Sequence, residues 1–225
     1  MKIKLFLLFS LFVSFGSAQT TEVTGGSQEI AVFNPAYEKN SKAQGTPYLT
    51  EEFLPAKLDY MDKTQLIRFN VVDNIIELKS NKGGNLMLDL RKDFTIELLD
   101  ESQKLYRTGT YLEKGSKIRS FFEILNQTKD YTLYRKERKK FIKQEKVEAY
   151  KEEKAARFAV QNPKFYIVDF KSGGSVLLEL PSKKKKFLSF FGNKEKEVGQ
   201  FVKQEKLDFR NSNDLLQIIE FFFEK

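Results

Sequence analysis

With neither cysteine nor histidine among its 225 residues, this chain leaves chemistry to carboxylates, lysines, arginines and hydroxyls. Ser-His-Asp and Cys-His catalysis, thiol redox chemistry and zinc sites built on Cys or His are thereby excluded. Carboxylate-only metal sites, carboxylate pairs and Ser-Lys pairs are left. The acids set among strand-forming residues are Glu77, Glu97, Glu123, Asp169 and Glu179. Two of them held about 5–10 Å apart could hydrolyse a glycosidic bond. Alternation along a strand puts most of them on a wet face instead, so a small carboxylate-based hydrolase stands third among the functions considered.

Basic residues are denser. Arg135, Lys136, Arg138, Lys139, Lys140 and Lys143 crowd one stretch, and Lys183, Lys184, Lys185 and Lys186 form a tetrad. These ten are the candidate anion-binding residues, suited to an acidic polymer or to lipid head groups. Solvation is the competing explanation, because Glu137, Glu145, Glu148, Glu152 and Glu153 interrupt the first run. Over residues 135–157 ten bases meet five acids. Phe187, Phe190 and Phe191 follow the tetrad, and docking of these rings on a sheet accounts for them better than a membrane-surface helix does. Gly83-Gly84 and Gly173-Gly174 read as hairpin turns, since no capped helix follows either to cradle a phosphate. No cofactor or metal is expected, and nucleic acid is not an expected partner.

The elements that would position these residues begin after an export signal. Lys2 and Lys4 supply a positive start, Leu5–Phe15 an apolar run broken only by Ser10, and Gly16-Ser17-Ala18 the small residues for cleavage before Gln19. A membrane span needs roughly 20 apolar residues, which this run does not reach. Two lysines and no acids leave with residues 1–18, taking the formal net charge from +8 to +6. A bacterial periplasm or cell surface suits an exported chain with no disulfide.

Residues 19–46 are Thr-, Gly-, Ser- and Gln-rich and read as a flexible leader, with Ile30–Phe33 able to lay one strand on the domain. A β-rich domain follows over 47–181. Leu66–Val72 and Ile75–Lys79 flank the turn Asp73-Asn74, and Phe94, Ile96 and Leu98 alternate with Thr95 and Glu97. Further strands are expected at Lys104–Leu112, Ile118–Leu125, Asp130–Tyr134, Lys164–Phe170 and Ser175–Leu180, joined by short turns, as in an antiparallel meander curving into a partial barrel. Residues 135–162 read as the end of a long strand and then an exposed helix or loop; 143–157 have too few spaced apolar side chains for a buried helix, and are expected to project as a partly ordered, solvent-facing helix or loop. From Ser182 the pattern turns helical: Lys183–Phe191 with Gly192 as stop, about Lys194–Lys206, and a third helix capped within Asn211–Asp214. In the third, Leu215, Ile218, Ile219 and Phe222 fall at i, i+3, i+4 and i+7. The fold class is α+β, with a C-terminal helical appendage over 182–225 packed on the sheet.

Gly45-Thr46-Pro47-Tyr48-Leu49-Thr50-Glu51-Glu52-Phe53, followed by Ile67-Arg68-Phe69-Asn70 and Ile75-Ile76-Glu77-Leu78, resembles a family of uncharacterised exported proteins of Gram-negative bacteria. The tail Lys184–Phe222, with its lysines, Phe-rich helix and Asn-Asp-Leu-Leu order, is similar to the ends of such chains. The resemblance implies export and this fold, and carries no activity. The expected function is a non-catalytic binding or structural protein of the cell envelope, partnered by an envelope protein or polymer; anion binding is the alternative. N-terminal sequencing of protein from its native host should read from Gln19, and an intact Met1 in a membrane fraction would refute export by a cleaved signal.

Overall fold

β-branched and aromatic residues at alternate positions draw most of this chain into strands. The structure, a computed structural model, describes residues 24–25, 28–29, 31–34, 43–80, 85–144, 155–171 and 173–224. The signal segment 1–18, the Gly83-Gly84 turn and residues 145–154 of the charged stretch lie outside the described residues. Strands β1 (Thr24–Gly25) and β2 (Gln28–Glu29) pair with each other. The others are β3 (Ala31–Asn34), β4 (Leu54–Leu58), β5 (Gln65–Asn70), β6 (Ile75–Lys79), β7 (Asn85–Leu88), β8 (Thr95–Leu98), β9 (Leu105–Glu113), β10 (Ser116–Gln127), β11 (Tyr131–Ile142), β12 (Arg157–Asp169) and β13 (Leu178–Glu179). Among the described residues they form one antiparallel sheet in the order β13-β12-β11-β10-β9-β8-β4-β5-β6-β7-β3. Helices are few: α1 (Lys184–Ser189), a 3-10 turn over Gly192–Lys194, α2 (Glu195–Gln204) and α3 (Ser212–Glu224). The molecule is thus mostly a curled sheet with a small helical region at its C-terminal end, and the α+β description fits only loosely.

Short turns set the register. Lys114 and Gly115 both adopt positive φ, 50° and 84°, the geometry of a two-residue turn whose twist matches the strands it joins. Cα pairing then runs from Ser116↔Glu113 to Glu123↔Tyr106. Thr128 builds the next turn, its Oγ1 accepting from the backbone N–H groups of Asp130 and Tyr131 at 3.2 and 3.1 Å.

The sheet buries different faces along its course. Ile67, Phe69, Ile76, Leu78 and Ile96 meet Tyr106 and Phe121 in a first core, where the Phe69 ring lies 4.5 Å from Tyr106 and 4.9 Å from Phe121. One residue further along β10, Phe122 points the opposite way, into a second core with Tyr111, Tyr134, Tyr166, Val168 and Leu177. Tyr111 and Tyr166 belong to strands three places apart, yet their ring centroids are 5.3 Å apart. The β9–β13 run has therefore curled until its ends touch: Leu177 N–H donates to the Thr110 carbonyl at 3.0 Å. Gly109 permits that contact, because a Cβ there would stand 2.7 Å from Leu177 Cδ1.

The C-terminal helices cover the other face of β11 and β12. Phe187, Val198, Leu215, Ile218 and Ile219 pack with Tyr131, Leu133, Phe165 and Ile167. Asn211 caps α3, its Oδ1 accepting from the Asn213 N–H at 2.9 Å and the Asp214 N–H at 3.3 Å.

The charged stretch opens with the expected strand end and departs from expectation on its second flank. β11 continues to Ile142 and β12 begins at Arg157, well before Lys164, so residues 136–142 and 157–163 form a long two-stranded arm. Lys136 pairs with Lys164 and Arg138 with Gln161, leaving Asn162 and Pro163 both opposite Glu137. That bulge removes the need for a ladder N–H that Pro163 cannot supply. Pairing to a neighbouring strand overrides the weak local propensity of so charged a sequence. Ile219 is fully buried, and Ile219→Ala should destabilise the fold by roughly 2–4 kcal/mol; a denaturant midpoint equal to wild type would show that α3 is not docked.

Candidate functional site

β10 and β11 pair only where Glu123–Gln127 meets Thr132–Arg135, and then part. Into the fork comes the β5–β6 turn, whose Asn74 holds a left-handed backbone (φ 58°) and donates from Nδ2 to the Arg119 carbonyl at 2.8 Å. Lys136 sits in this fork. Its ammonium donates to Ser120 Oγ and, at 3.3 Å, to Asn74 Oδ1, while Ser120 Oγ also bonds Asn74 Oδ1. The rings of Tyr111, Phe122 and Phe121 stand 5.3, 5.3 and 5.9 Å from Nζ. Loss of water around the ammonium pulls its pKa down to about 8, against an upward pull from Glu113, with Arg138 and Lys164 adding to the fall. Ser120 and Lys136 would make a nucleophile–base pair on residue type alone, but Ser120 is fully buried; the cluster is a clasp across the fork.

The other predicted cations scatter. Arg135 is held by Glu123 at 2.8 Å and Glu137 at 3.0 Å. Lys139 donates to the carbonyls of Tyr48 and Thr46, tying the chain before β4 to the arm, and burial pulls its pKa down. Lys140, Lys143 and Lys183–Lys186 are exposed. Among the described residues Arg138 reaches the Asn162 carbonyl alone, at 3.5 Å.

The strand carboxylates are mostly spoken for. Glu77 is buried, bound to Arg68 Nη2 at 2.6 Å, Asn85 Nδ2 at 3.0 Å and Tyr48 OH at 3.1 Å. The Arg68 guanidinium in turn lies 3.5 Å over the Tyr48 ring and 4.5 Å over Phe53, so this network fastens residues 48–53 to the sheet. Glu123 serves Arg135 and Lys104, Glu179 serves Lys164 at 2.8 Å, and Asp169 accepts from the Lys171 N–H. Glu97 is exposed. Among the described residues no group of three or more acids could hold a metal ion.

Where the arm meets the helical tail there is a cavity of about 490 Å³. Phe165, Phe187 and Phe209 give it apolar walls, and Phe187 stacks on Phe209 at 4.5 Å. Arg138, Lys164 and Arg210 contribute cations to its lining and Glu179 one carboxylate, and Ser182 leads directly to the lysine tetrad. Lys164 is matched by Glu179, and Arg210 by Asp208 at 2.9 Å, an exposed pair that raises the arginine pKa and lowers that of Asp208. Among the described residues Arg138 alone of the three has no carboxylate within ion-pair reach. Lys164 and Arg210 carry no sequence signal of this role, being 46 residues apart and converging only when α3 docks.

No family model, curated protein or solved structure matches this chain. No helix among the described residues is long and apolar enough to cross a membrane.

Lys136 gives the clasp a pH signature. Its folded pKa lies below the ordinary lysine value of 10.5, so the unfolded chain binds more protons between pH 8 and 10 and stability should rise with pH there. The rise from pH 7 to 9.5 should be on the order of 1–2 kcal/mol, with Lys139 adding in the same sense. Above pH 10 the opposite term sets in, because burial raises Tyr48, Tyr106, Tyr111, Tyr131 and Tyr166. Lys136→Met, which leaves Ser120 and Asn74 bonded to each other, should remove most of the rise in urea midpoints. A variant profile that keeps the wild-type slope would place the titration elsewhere.

Proposed function

We propose that this chain is an exported, non-catalytic binding protein of a Gram-negative cell envelope, and that it takes an anionic group, from an acidic polymer or a lipid head group, in the cavity between the arm and the helical tail. Export rests on the order of charge, apolar run and small residues at the N-terminus and on the resemblance to exported proteins. Arg138 is the observation that carries the binding function: a guanidinium that lines the cavity beside its phenylalanine walls and, among the described residues, has no carboxylate within ion-pair reach. Burial of apolar surface by the rest of a ligand would add to charge neutralisation there, and the four exposed lysines that follow Ser182 would raise its local concentration.

A mature chain of formal net charge +6 is drawn to anionic matrices in general, so the test needs a charge-matched control. One variant reverses Lys183, Lys184, Lys185 and Lys186 to Glu, a second carries Arg138→Glu, and the control reverses the exposed Lys57, Lys63, Lys114 and Lys117. Binding to an alginate matrix and to phosphatidylglycerol vesicles is measured for each, which separates polymer from lipid. The tetrad and Arg138 variants should bind about tenfold more weakly, a loss of about 1.4 kcal/mol, while the control keeps most of its affinity. Losses that follow the change in net charge, as large in the control as in the tetrad variant and small in Arg138→Glu, would reduce the attraction to net charge and overturn the site.

A further inference from the structure

A second concavity lies on the far side of the β9–β13 curl, an open cleft of about 600 Å³ between the β4 exit, the β8 entry and the segment that closes on β9. We infer that it binds a neutral oligosaccharide, with Tyr60 as the stacking platform.

Tyr60 is the first observation. It has a left-handed backbone, φ 69°, a conformation that a bulky side chain adopts only when its surroundings enforce it and that concentrates at binding sites. It is the third residue of the turn that the Met61 N–H closes on the Leu58 carbonyl at 3.2 Å, and that turn presents a ring that is 60% exposed and stands 6.3 Å from Phe94 at 78°. A second aromatic in the cleft lining, Phe170, is 43% exposed. Large side chains kept in water at a concave surface are contact points for a ligand's apolar faces. Pyranose rings offer such faces, their axial C–H groups being attracted to the negative face of an aromatic ring.

Charge is the second observation. Although the chain is basic, the cleft is balanced, with Asp59 and Asp93 set against Arg107 and Arg119. Arg119 is locked in place by the Leu90 carbonyl at 2.7 Å, the Lys92 carbonyl at 2.9 Å and Asp93 Oδ1 at 2.6 Å. Asp93 itself is 82% exposed and keeps its other oxygen to accept hydrogen bonds. Among the described residues Arg107 is engaged by Gln127 Oε1 alone, at 3.3 Å. A fixed carboxylate and a guanidinium within one neutral cleft suit vicinal hydroxyls, which both accept and donate, better than they suit an ion. This inference is independent of the arm cavity, which has an uncompensated cation and the opposite preference.

The test is calorimetric titration of the full mature chain with three neutral probes: cellohexaose, chitohexaose and mannohexaose. At least one should bind, and affinity should survive Tyr60→Phe, which keeps the ring, but fall at least tenfold in Tyr60→Gly. Glycine also relieves the left-handed backbone, so Tyr60→Gly should melt no lower than wild type, which separates lost binding from lost folding. Leu112→Ala, at another exposed apolar residue outside the cleft lining, should bind as wild type. Absence of heat with all three saccharides, or binding undiminished in Tyr60→Gly, overturns the assignment; so does saturable binding of a hexapeptide that Tyr60→Gly abolishes, which would make the cleft a peptide site.

Discussion

Burial of both faces of the β9–β10 hairpin constrains everything around it. Successive residues of β10, Phe121 and Phe122, enter different cores, and so do Tyr106 and Tyr111 of β9. A flat sheet could not bury both faces without a layer on each side. Here the sheet supplies both layers from itself: strands β4–β8 close over one face, while β11, β12 and the segment entering β13 close over the other. The aromatic content makes this possible, because rings bury large areas and interlock edge to face, as Phe122 does with Tyr166 at 5.1 Å and 72°. A one-residue slip in the β9–β10 register would exchange the two sets of side chains, so the tight Lys114-Gly115 turn that fixes the register matters to both cores.

The same double curvature explains the buried lysine. Strands that pair at one end and wrap different cores must separate at the other, and β10 and β11 do so after Glu123 and Arg135. A fork in a sheet exposes unpaired backbone groups inside the protein, which is costly unless they are satisfied. Asn74 supplies one donor to the Arg119 carbonyl, and Lys139 supplies donors to the chain that crosses the arm. Lys136 is long enough to span the gap and joins Ser120 to Asn74. An ammonium enclosed there with hydroxyl, amide and aromatic partners but no carboxylate is held at the expense of its ionisation, the physical origin of its lowered pKa.

Much of this architecture was readable from residue patterns. Alternation marked β8 and the β5–β6 hairpin, the spacing of Leu215, Ile218 and Ile219 marked α3, and the small turns marked the hairpins. What local pattern could not reveal was pairing that defies propensity. A strand end was expected over Arg138, Lys139 and Lys140, but not its partner: the return strand starts at Arg157, where β12 offers a ladder and the bulge at Asn162-Pro163 absorbs the proline. The candidate cavities were equally hidden, since each is made by convergence: Arg138 with Arg210, and Tyr60 with Phe170. Tyr60 had no signal at all, because its positive φ belongs to the turn that the Met61 N–H closes on the Leu58 carbonyl, and tyrosine is not a residue that marks such a turn.

Closure and binding geometry meet at Leu177. Its side chain fills the space left by the missing Cβ of Gly109, and its N–H holds β9. Gly174, Ser175 and Leu177 also line the cleft that Tyr60 overlooks, while Leu180, three residues on, lines the arm cavity beside Phe165 and Phe187. One short segment, Gly174–Leu180, therefore borders both concavities, and its path is set by two ladders, to β9 through Leu177 and to β12 through Leu178 and Glu179. Movement of this segment would change the shapes of both cavities together.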